Sequence, residues 1–197
     1  MPSGQKRSAD ALVRRGRTVF LRPPAHTDQG PFLAAVAQSK RLHRQWVQPP
    51  TTPAAFRLYV RRYATDPLRD LAHARCAGFV VCERSTDAMA GVYNFSEIIH
   101  GALQSAFLGY YAFDGMNGRG FMREGLALAL EQAFRVLRLH RVEVNVQPVN
   151  ERSIALVEAA GFVHEGYSRR YVKVAGRWRD HVRYALLVED WRQHTRR

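Results

Sequence analysis

A glycine-rich segment near the middle of the chain has the composition of an anion-binding turn. Gly115, Gly118 and Gly120 stand directly before a helical pattern of apolar residues that begins near Met122. Without Cβ atoms the backbone can turn so that successive N–H groups converge, and the first N–H groups of a helix lack partners and lie at the positive end of its dipole. The segment therefore predicts a phosphate or pyrophosphate site. A glycine-rich turn that binds nothing is the alternative.

Two other phosphate-binding patterns fit this segment less well. No Gly-Lys-Ser/Thr follows the glycines, as a nucleotide-hydrolysing loop would need, and Arg123 stands where a dinucleotide fingerprint has its third glycine. Gly109 lies inside the run that precedes the turn, where a glycine marks either a bulge or the close approach of a ligand. These features favour an extended, phosphate-bearing ligand beside that strand, although Gly109 could instead relieve crowding under an aromatic residue.

Hydrophobic periodicity predicts the elements that must position this turn. Alternating patterns indicate seven strands and helical patterns indicate four helices, in the order β-α-α-β-β-β-α-β-α-β-β. The predicted strands are 18–22, 76–83, 88–99, 105–113, 141–147, 167–174 and 177–188, and the predicted helices are 27–46, 53–63, 122–137 and 150–160. This order belongs to the α/β (α+β) class, with helices packed on a mixed sheet.

Length and charge predict one basic domain with short tails. The 197 residues carry 30 Lys and Arg against 17 Asp and Glu, a net charge of +13. We expect residues 1–16 to be a flexible basic arm, 17–191 a single domain and 192–197 a basic tail. A basic field favours polyanionic partners, although an arginine-rich surface without a partner is equally compatible. Without an apolar run of about 20 residues or a signal peptide, we expect a cytoplasmic protein with no membrane partner, and the spacing of His and Cys predicts no metal.

Three segments resemble the GCN5-related N-acetyltransferases (GNAT). Residues 110–122 resemble motif A, Gln/Arg-x-x-Gly-x-Gly/Ala, matched by Gly115-x-x-Gly118-x-Gly120 with glycine at the first position. Asn150-x-x-Ser153 followed by Gly161-Phe162 is similar to a second family segment. The run 176–181, Gly-x-Trp-Arg-Asp-His, resembles the RimJ/RimL-like branch, which acetylates the N-terminal alanine of ribosomal proteins. The resemblance covers roughly 18–191.

The resemblance implies the GNAT fold, a mixed, mostly antiparallel sheet of about seven strands with about four helices, and acetyl-CoA as co-substrate. The central parallel strands, 105–113 and 141–147, would splay apart and hold pantetheine between them. The implied contacts are main-chain groups of Tyr111 and Phe113 with pantetheine, those of Asn117, Gly118, Arg119, Gly120, Phe121 and Met122 with pyrophosphate, and the side chains of Asn150 and Ser153. Arg119 and Arg123 could add charge or be ordinary surface arginines, and Asn150 could also cap the helix that it begins.

The resemblance also implies a catalytic acid and leaves the base open. Many relatives use a tyrosine seven residues after the asparagine, but Val157 occupies that position, so Ser153 is the expected acid, unless its hydroxyl only caps the helix. The glutamate that serves a serine-specific relative corresponds to about Val172. Glu97 is therefore the first candidate base, with a solvated glutamate as the alternative. Tyr110 and Tyr171 are weaker candidates.

Three functions remain open from the sequence. The first is acetylation of the α-amino group of an Ala- or Ser-starting protein, for example a ribosomal protein, with nucleic acid met only through a ribonucleoprotein. The second is acetylation of a small amine such as an antibiotic, a polyamine or an amino acid. The third is a nucleic-acid-binding module, which the basic and aromatic composition permits but no nucleic-acid motif supports. A monomer and a homodimer are both compatible with the sequence.

Overall fold

The computed structural model describes residues 13–64 and 74–195, and these share one eight-stranded sheet. The spatial order is β1-β2-β3-β4-β5-β6-β8-β7, and every neighbouring pair is antiparallel except β5 and β6. The strands are β1 (Arg14–Arg15), β2 (Val19–Arg22), β3 (Ala77–Glu83), β4 (Met89–Ile99), β5 (Ser105–Ala112), β6 (Arg141–Val146), β7 (Val163–Val174) and β8 (Arg177–Leu187). The predicted mixed, mostly antiparallel sheet is confirmed.

Six α-helices, two more than predicted, flank the sheet within residues 13–64 and 74–195. They are α1 (Gln29–Gln38), α2 (Lys40–His43), α3 (Pro53–Tyr63), α4 (Phe121–Glu131, continued by a π-helical turn, Gln132–Val136), α5 (Glu151–Ala159) and α6 (Val188–His194). The predicted helix 27–46 divides at Ser39, whose hydroxyl donates to Ala35 O (2.7 Å) and accepts from Asp114 N (2.8 Å). A serine that bonds the backbone in this way competes with regular helix geometry. No helix in 13–64 or 74–195 is long and apolar enough to span a membrane.

The chain ends differ from the predicted arm and tail. Arg14 and Arg15 pair with Leu21 and Phe20, so the last residues of the predicted arm 1–16 belong to the sheet. Residues 1–12 lie outside the described part of the chain. At the other end α6 takes up the first residues of the predicted tail 192–197. The sheet and α6 therefore include part of the two segments that were predicted as an arm and a tail.

Apolar side chains cover both faces of the sheet. On one face α4, α5 and α6 pack over residues such as Tyr93, Phe95 and Val142, and this cluster forms the larger core. On the other face α1 and α3 form a smaller aromatic cluster with Phe113 of the β5–α4 connection. In that cluster the ring centroids of Phe32 and Phe56 lie 4.8 Å apart. We call these two sides the α4 face and the α1 face.

The start of α4 is held against the sheet by contacts from β4 and β2. Tyr93 donates its hydroxyl hydrogen to Met122 O (2.6 Å), and Thr18 N donates to the Glu124 carboxylate (3.0 Å). Gly91 allows this approach, because a Cβ there would lie 2.6 Å from Met122 Sδ and 2.5 Å from Tyr111 O. The glycine-rich turn therefore precedes a helix whose first turn is fixed in position.

Candidate active site

The central parallel strands separate after a short paired stretch and open a cleft. β5 and β6 are paired only from Ser105 to Phe107 on β5 and from Arg141 to Glu143 on β6. Beyond these positions the two strands diverge, and the cleft between them has a volume of about 670 Å³. Its walls come from β5, β6, the glycine-rich turn and the starts of α4 and α5, with α2 and β8 at the α1 face.

Alternation along β5 determines which main-chain groups face this cleft. Phe113 N donates to Ala90 O of the β4 side (2.8 Å), so alternate residues of β5 direct their N–H and C=O groups to β4. Leu108, Tyr110 and Ala112 consequently direct theirs toward the gap. This geometry matches what an extended ligand needs in order to lie beside β5 as an added strand.

The structure contradicts the main-chain contact predicted for Phe113. Its N–H group is already bonded, and its side chain is buried in the aromatic cluster of the α1 face rather than in the cleft. Tyr111 contributes its side chain to the cleft wall, while its main chain pairs with Val92. The strand was predicted correctly, but the sequence does not show which alternate set of residues bonds to β4.

The glycine-rich turn presents unpaired N–H groups at one end of the cleft. Gly118 and Gly120 both have φ +76°, a left-handed conformation that other residues adopt only with strain, and Gly120 caps α4. The first bond of the helix runs from Glu124 N to Gly120 O (3.0 Å), so the N–H groups of the preceding turn have no partner within the helix. The residues of this segment that line the cleft are Asn117, Gly118, Gly120, Phe121, Met122 and Arg123.

The side chain of Arg119 does not contribute to the cleft. Its guanidinium forms an ion pair with Glu83 and lies over the ring of Phe121, 4.4 Å from the centroid. Arg123, in contrast, is among the residues that line the cleft. Of the two arginines predicted to supply positive charge, Arg123 therefore lines the cleft, whereas the side chain of Arg119 pairs with Glu83 of β3.

Two hydroxyl groups meet on the wall formed by β5 and α5. Tyr110 OH lies 2.5 Å from Ser153 Oγ, and burial raises the pKa of Tyr110 to about 12. Tyr110 is therefore protonated at neutral pH and can donate to Ser153. Asn150 caps α5 by accepting from Ser153 N (3.3 Å), and its side chain also lines the cleft. Val157 is fully buried in the core instead of reaching the cleft.

The α1 face of the cleft carries two neutral imidazoles that sequence reasoning missed. His43 lies 2.7 Å from Ala112 O through Nε2, and His181 lies 3.1 Å from Arg179 O through Nδ1. Because a carbonyl only accepts, the bonded nitrogen of each ring carries the hydrogen, and the other nitrogen keeps a lone pair. Burial lowers the pKa of both histidines. His181 belongs to the segment 176–181 that resembles the RimJ/RimL-like branch. This resemblance was the one feature of the sequence that could have indicated His181 as a site residue.

Further polar atoms on this face have no partner among the described residues. His43 Nδ1, the Tyr111 hydroxyl and Asn145 Oδ1 are all buried without a hydrogen bond. A buried polar atom without a partner is costly, and such atoms occur where a ligand or water completes the site. Three of the four groups, counting His181 Nε2, can only accept a hydrogen bond. This side of the cleft therefore suits a ligand that donates hydrogen bonds.

Glu97 lies outside the cleft. A bulge between Ser96 and Ile99 gives Glu97 a φ of +48° and turns Ile98 into the core. The Glu97 side chain is 65% exposed, with its carboxylate 3.5 Å from Arg62 Nη2. The alternation that was expected to aim Glu97 at the substrate is interrupted, and the structure does not bring Glu97 together with Ser153.

Comparison with known proteins identifies the family and the fold. Residues 18–163 match the acetyltransferase (GNAT) domain model. The chain is 33% identical over 176 residues to the probable N-acetyltransferase YjcK of Bacillus subtilis, covering 89% of this chain and 97% of the relative. It is 40% identical over 101 residues, about half of each chain, to the [ribosomal protein uS5]-alanine N-acetyltransferase of Escherichia coli.

A solved structure supports the same relationship. Mycobacterium smegmatis RimJ in complex with CoA-disulfide has 28% sequence identity and a TM-score of 0.78, and the match covers 90% of this chain and 87% of that one. The glycine-rich turn, the separated parallel strands and these similarities all agree. The chain belongs to the GNAT family and is an acetyl-CoA-dependent N-acetyltransferase.

Proposed function

We propose that this enzyme acetylates the α-amino group at the N-terminus of a protein, with an Ala- or Ser-starting ribosomal protein as the first candidate. The main support is the α1 face of the cleft, which is lined by neutral hydrogen-bond acceptors. Glu151 is the one carboxylate among the described residues that line the cleft. An α-amino group has a pKa of about 8, so much of it is neutral near that pH and one weak base suffices. A polyamine brings several ammonium charges, which need carboxylates as partners.

The relatives point in the same direction. The E. coli relative is named for the alanine of ribosomal protein uS5, and the M. smegmatis neighbour is named RimJ. A ribosomal acceptor also fits the cytoplasmic location expected from the sequence. The α-amino group of a peptide is a hydrogen-bond donor, as the unpaired atoms of the α1 face require.

We propose that the chain binds the co-substrate with its main chain. Acetyl-CoA supplies an acetyl thioester, which a neutral amine attacks while the coenzyme leaves as a thiol. The N–H groups from Asn117 to Met122 would bind the diphosphate, with Arg123 adding charge. Main-chain groups of Leu108 and Tyr110 and the N–H group of Ala112, whose carbonyl is bonded to His43, would orient the pantetheine arm. These residues take the place of Tyr111 and Phe113, for which the sequence predicted the contacts with pantetheine.

His181 is the proposed acceptor of the proton from the amine. Val182 pairs with Val146 at the end of β6, four residues before Asn150, which caps the helix that carries Ser153. His181 therefore lines the cleft beside the end of β6, the strand that leads to α5, whereas His43 bonds to Ala112 at the end of β5. The neutral ring, with Nδ1–H donating to Arg179 O, leaves Nε2 as the base, directly or through a water molecule.

Ser153 is the proposed proton donor to the leaving thiolate. If Tyr110 donates to Ser153 Oγ, the serine hydrogen is free to point at the sulfur, and the chained bonds strengthen each other. We expect Ser153→Ala to lower kcat by about 10- to 100-fold, because a hydrogen bond to a charged group contributes about 1.5–3 kcal/mol. Steady-state kinetics measures this, and titration with CoA should show unchanged affinity.

Ser153→Thr is the matched control, since it keeps the hydroxyl and should retain most of the turnover. Equal kcat values for the wild type and Ser153→Ala would remove Ser153 as the acid. A loss of CoA affinity equal to the loss of kcat would instead make Ser153 a binding residue.

An acceptor panel tests the proposed function. The protein is incubated with acetyl-CoA and a thiol reagent, and peptides that start with Ala or Ser are offered beside spermidine, an aminoglycoside and free alanine. We expect turnover with the peptides alone, and none when the same peptides are blocked by formylation. Faster turnover with spermidine or an aminoglycoside than with any peptide would contradict the proposal and favour a small-molecule acceptor.

A further inference from the structure

The end of the β7–β8 hairpin is exposed to solvent. Residues 169–173 and 175–178 are all exposed, although they lie on both faces of the two strands. Ala175 and Gly176, both at positive φ (48° and 78°), form the two-residue turn that joins the strands. The ribbon formed by residues 167–180 is therefore a mostly exposed surface, which we call the hairpin tip.

The hairpin tip carries an excess of positive charge, with five basic residues and a single acid. Its basic residues are Arg169, Arg170, Lys173, Arg177 and Arg179. Its one acid, Asp180, accepts hydrogen bonds from Tyr167 OH and Arg170 N. Among the described residues, none of the five basic side chains forms an ion pair with a carboxylate, and Arg179 Nε is buried without any partner.

Arginines nearer the base of the hairpin behave differently. Arg141 contacts Glu143 and Glu165, and Arg183 contacts Glu143. Near the base of the hairpin, Arg141 and Arg183 are therefore both neutralised by carboxylates. At the tip five basic side chains stand beside one carboxylate, that of Asp180, and the remaining positive charge favours the binding of an anion. Charge complementarity makes the partner a polyanion.

Exposed aromatic rings among these charges favour one class of polyanion, a single-stranded nucleic acid, over a duplex or an acidic peptide. Trp178 is 60% exposed and lies directly opposite Lys173 on β7. Tyr167 and Tyr171 are 52% and 39% exposed. Aromatic rings beside cations provide stacking surfaces for unpaired bases and charges for the phosphates, whereas a duplex keeps its bases stacked internally and an acidic peptide has no base to stack.

The hairpin tip also adjoins the cleft. Arg179 and Arg177 lie two and four residues from His181 on the same side of β8, or about 7 and 13 Å along the strand. His181 itself lines the cleft. A strand of nucleic acid on the tip would therefore run beside the entrance for the acceptor.

We propose that the hairpin tip binds single-stranded RNA, so that the enzyme recognises an N-terminus presented next to RNA. Arg169, Arg170, Lys173 and Arg177 contact phosphates, and Trp178 stacks on a base. The proposed RNA contacts use none of the side chains assigned to acetyl transfer, so RNA binding does not depend on which amine is acetylated. The recognition of an N-terminus beside the RNA rests on the proposed function.

Binding of a fluorescein-labelled oligo(U) of about 12 nucleotides, followed by fluorescence anisotropy over a range of salt concentrations, tests the proposal. The test variant replaces Arg169, Arg170, Lys173 and Arg177 by Gln. The control variant removes the same charge by replacing the exposed Arg57, Arg61, Arg138 and Arg192 by Gln. We expect the test variant to lose at least about tenfold in affinity and its log K versus log salt slope to fall by about 3, at about 0.7 per lost phosphate contact.

Trp178→Ala is the second variant and changes no charge. We expect it to weaken oligo(U) binding about fivefold or more while leaving the salt slope unchanged, because stacking does not displace ions. Should the fourfold substitution prevent folding, Trp178→Ala alone still tests whether the hairpin tip is the RNA site. CoA titration verifies that each variant is folded.

Several outcomes would overturn the proposal. Equal RNA affinity of the test variant and the wild type would remove the hairpin tip as the site, as would an equal loss in the control variant. Polyglutamate that competes as well as oligo(U) would replace RNA with an acidic protein, and tighter binding of a duplex would exclude single strands. Because oligo(U) binding is measured without acetyl transfer, failure of the acceptor panel leaves this result unaffected.

Discussion

Gly118→Asp should abolish most of the CoA affinity of this enzyme. Gly118 has φ +76°, and a Cβ built there meets no atom within 4 Å, so the new carboxylate would enter the space in front of the unpaired N–H groups. A carboxylate about 5 Å from a phosphate charge repels it by about 3 kcal/mol at an effective dielectric constant of about 20, which is about a hundredfold in the dissociation constant. Isothermal titration with CoA measures the loss.

Gly101→Asp is the matched control for this change. Gly101 also has a positive φ (72°) and open space around its Cβ position, but it lies in the β4–β5 turn, away from the cleft. Both substitutions therefore carry a similar backbone strain and the same charge, while only Gly118 faces the proposed diphosphate. CoA affinity equal to the wild type in Gly118→Asp, or an equal loss in Gly101→Asp, would refute the anion site.

His181→Gln should lower kcat/KM by about a hundredfold or more, because a positioned general base contributes about 10²- to 10⁴-fold. Glutamine can preserve a hydrogen bond to Arg179 O but cannot take a proton at neutral pH. CoA affinity should remain unchanged, since His181 lies on the α1 face rather than at the glycine-rich turn. Steady-state kinetics with an Ala-starting peptide measures the effect.

The pH profile separates a base from a residue that only positions the substrate. Burial lowers the pKa of His181 below its ordinary value of 6.5, so the ring is neutral at pH 7 and becomes protonated, and inactive as a base, as the pH falls through that lowered value. Loss of the neutral amine alone gives a slope of about 1 in log kcat/KM against pH, and protonation of His181 as well makes it about 2. We expect log kcat/KM of the wild type to reach the slope of about 2 at acidic pH, and that of His181→Gln to keep the slope of about 1.

His164→Gln serves as the control on the same hairpin. His164 is exposed on β7, with its ring 5.4 Å from that of Tyr184, and it does not line the cleft. Its replacement should leave both the rate and the pH profile unchanged. If His181→Gln keeps the steep acidic part of the profile, another group takes the proton, and His43, the other neutral imidazole of this face, becomes the candidate.

Features that depend on neighbouring residues could be predicted from the sequence. The glycines at 115, 118 and 120 and the apolar pattern that follows them identified both the turn and α4, because backbone freedom and helical period are local properties. Asn150 was recognised as a cap for the same reason, and it accepts from Ser153 N. The assignment to acetyl transfer came from motif resemblance, since spacing alone indicated only a phosphate-binding α/β domain.

Features that depend on pairing between distant segments were decided only by the tertiary structure. Alternation predicts a strand, but the partner strand determines that Phe113 bonds to Ala90 and that Tyr110 and Ala112 face the cleft. One bulged residue in β4 is enough to leave Glu97 in solvent. His43 and His181 are 138 positions apart in the sequence. They reach one cleft only because α2 packs on the face of the sheet to which the His181 side chain of β8 points. Local chemistry therefore determined the glycine-rich turn, whereas long-range packing determined which side chains line the cleft beside it.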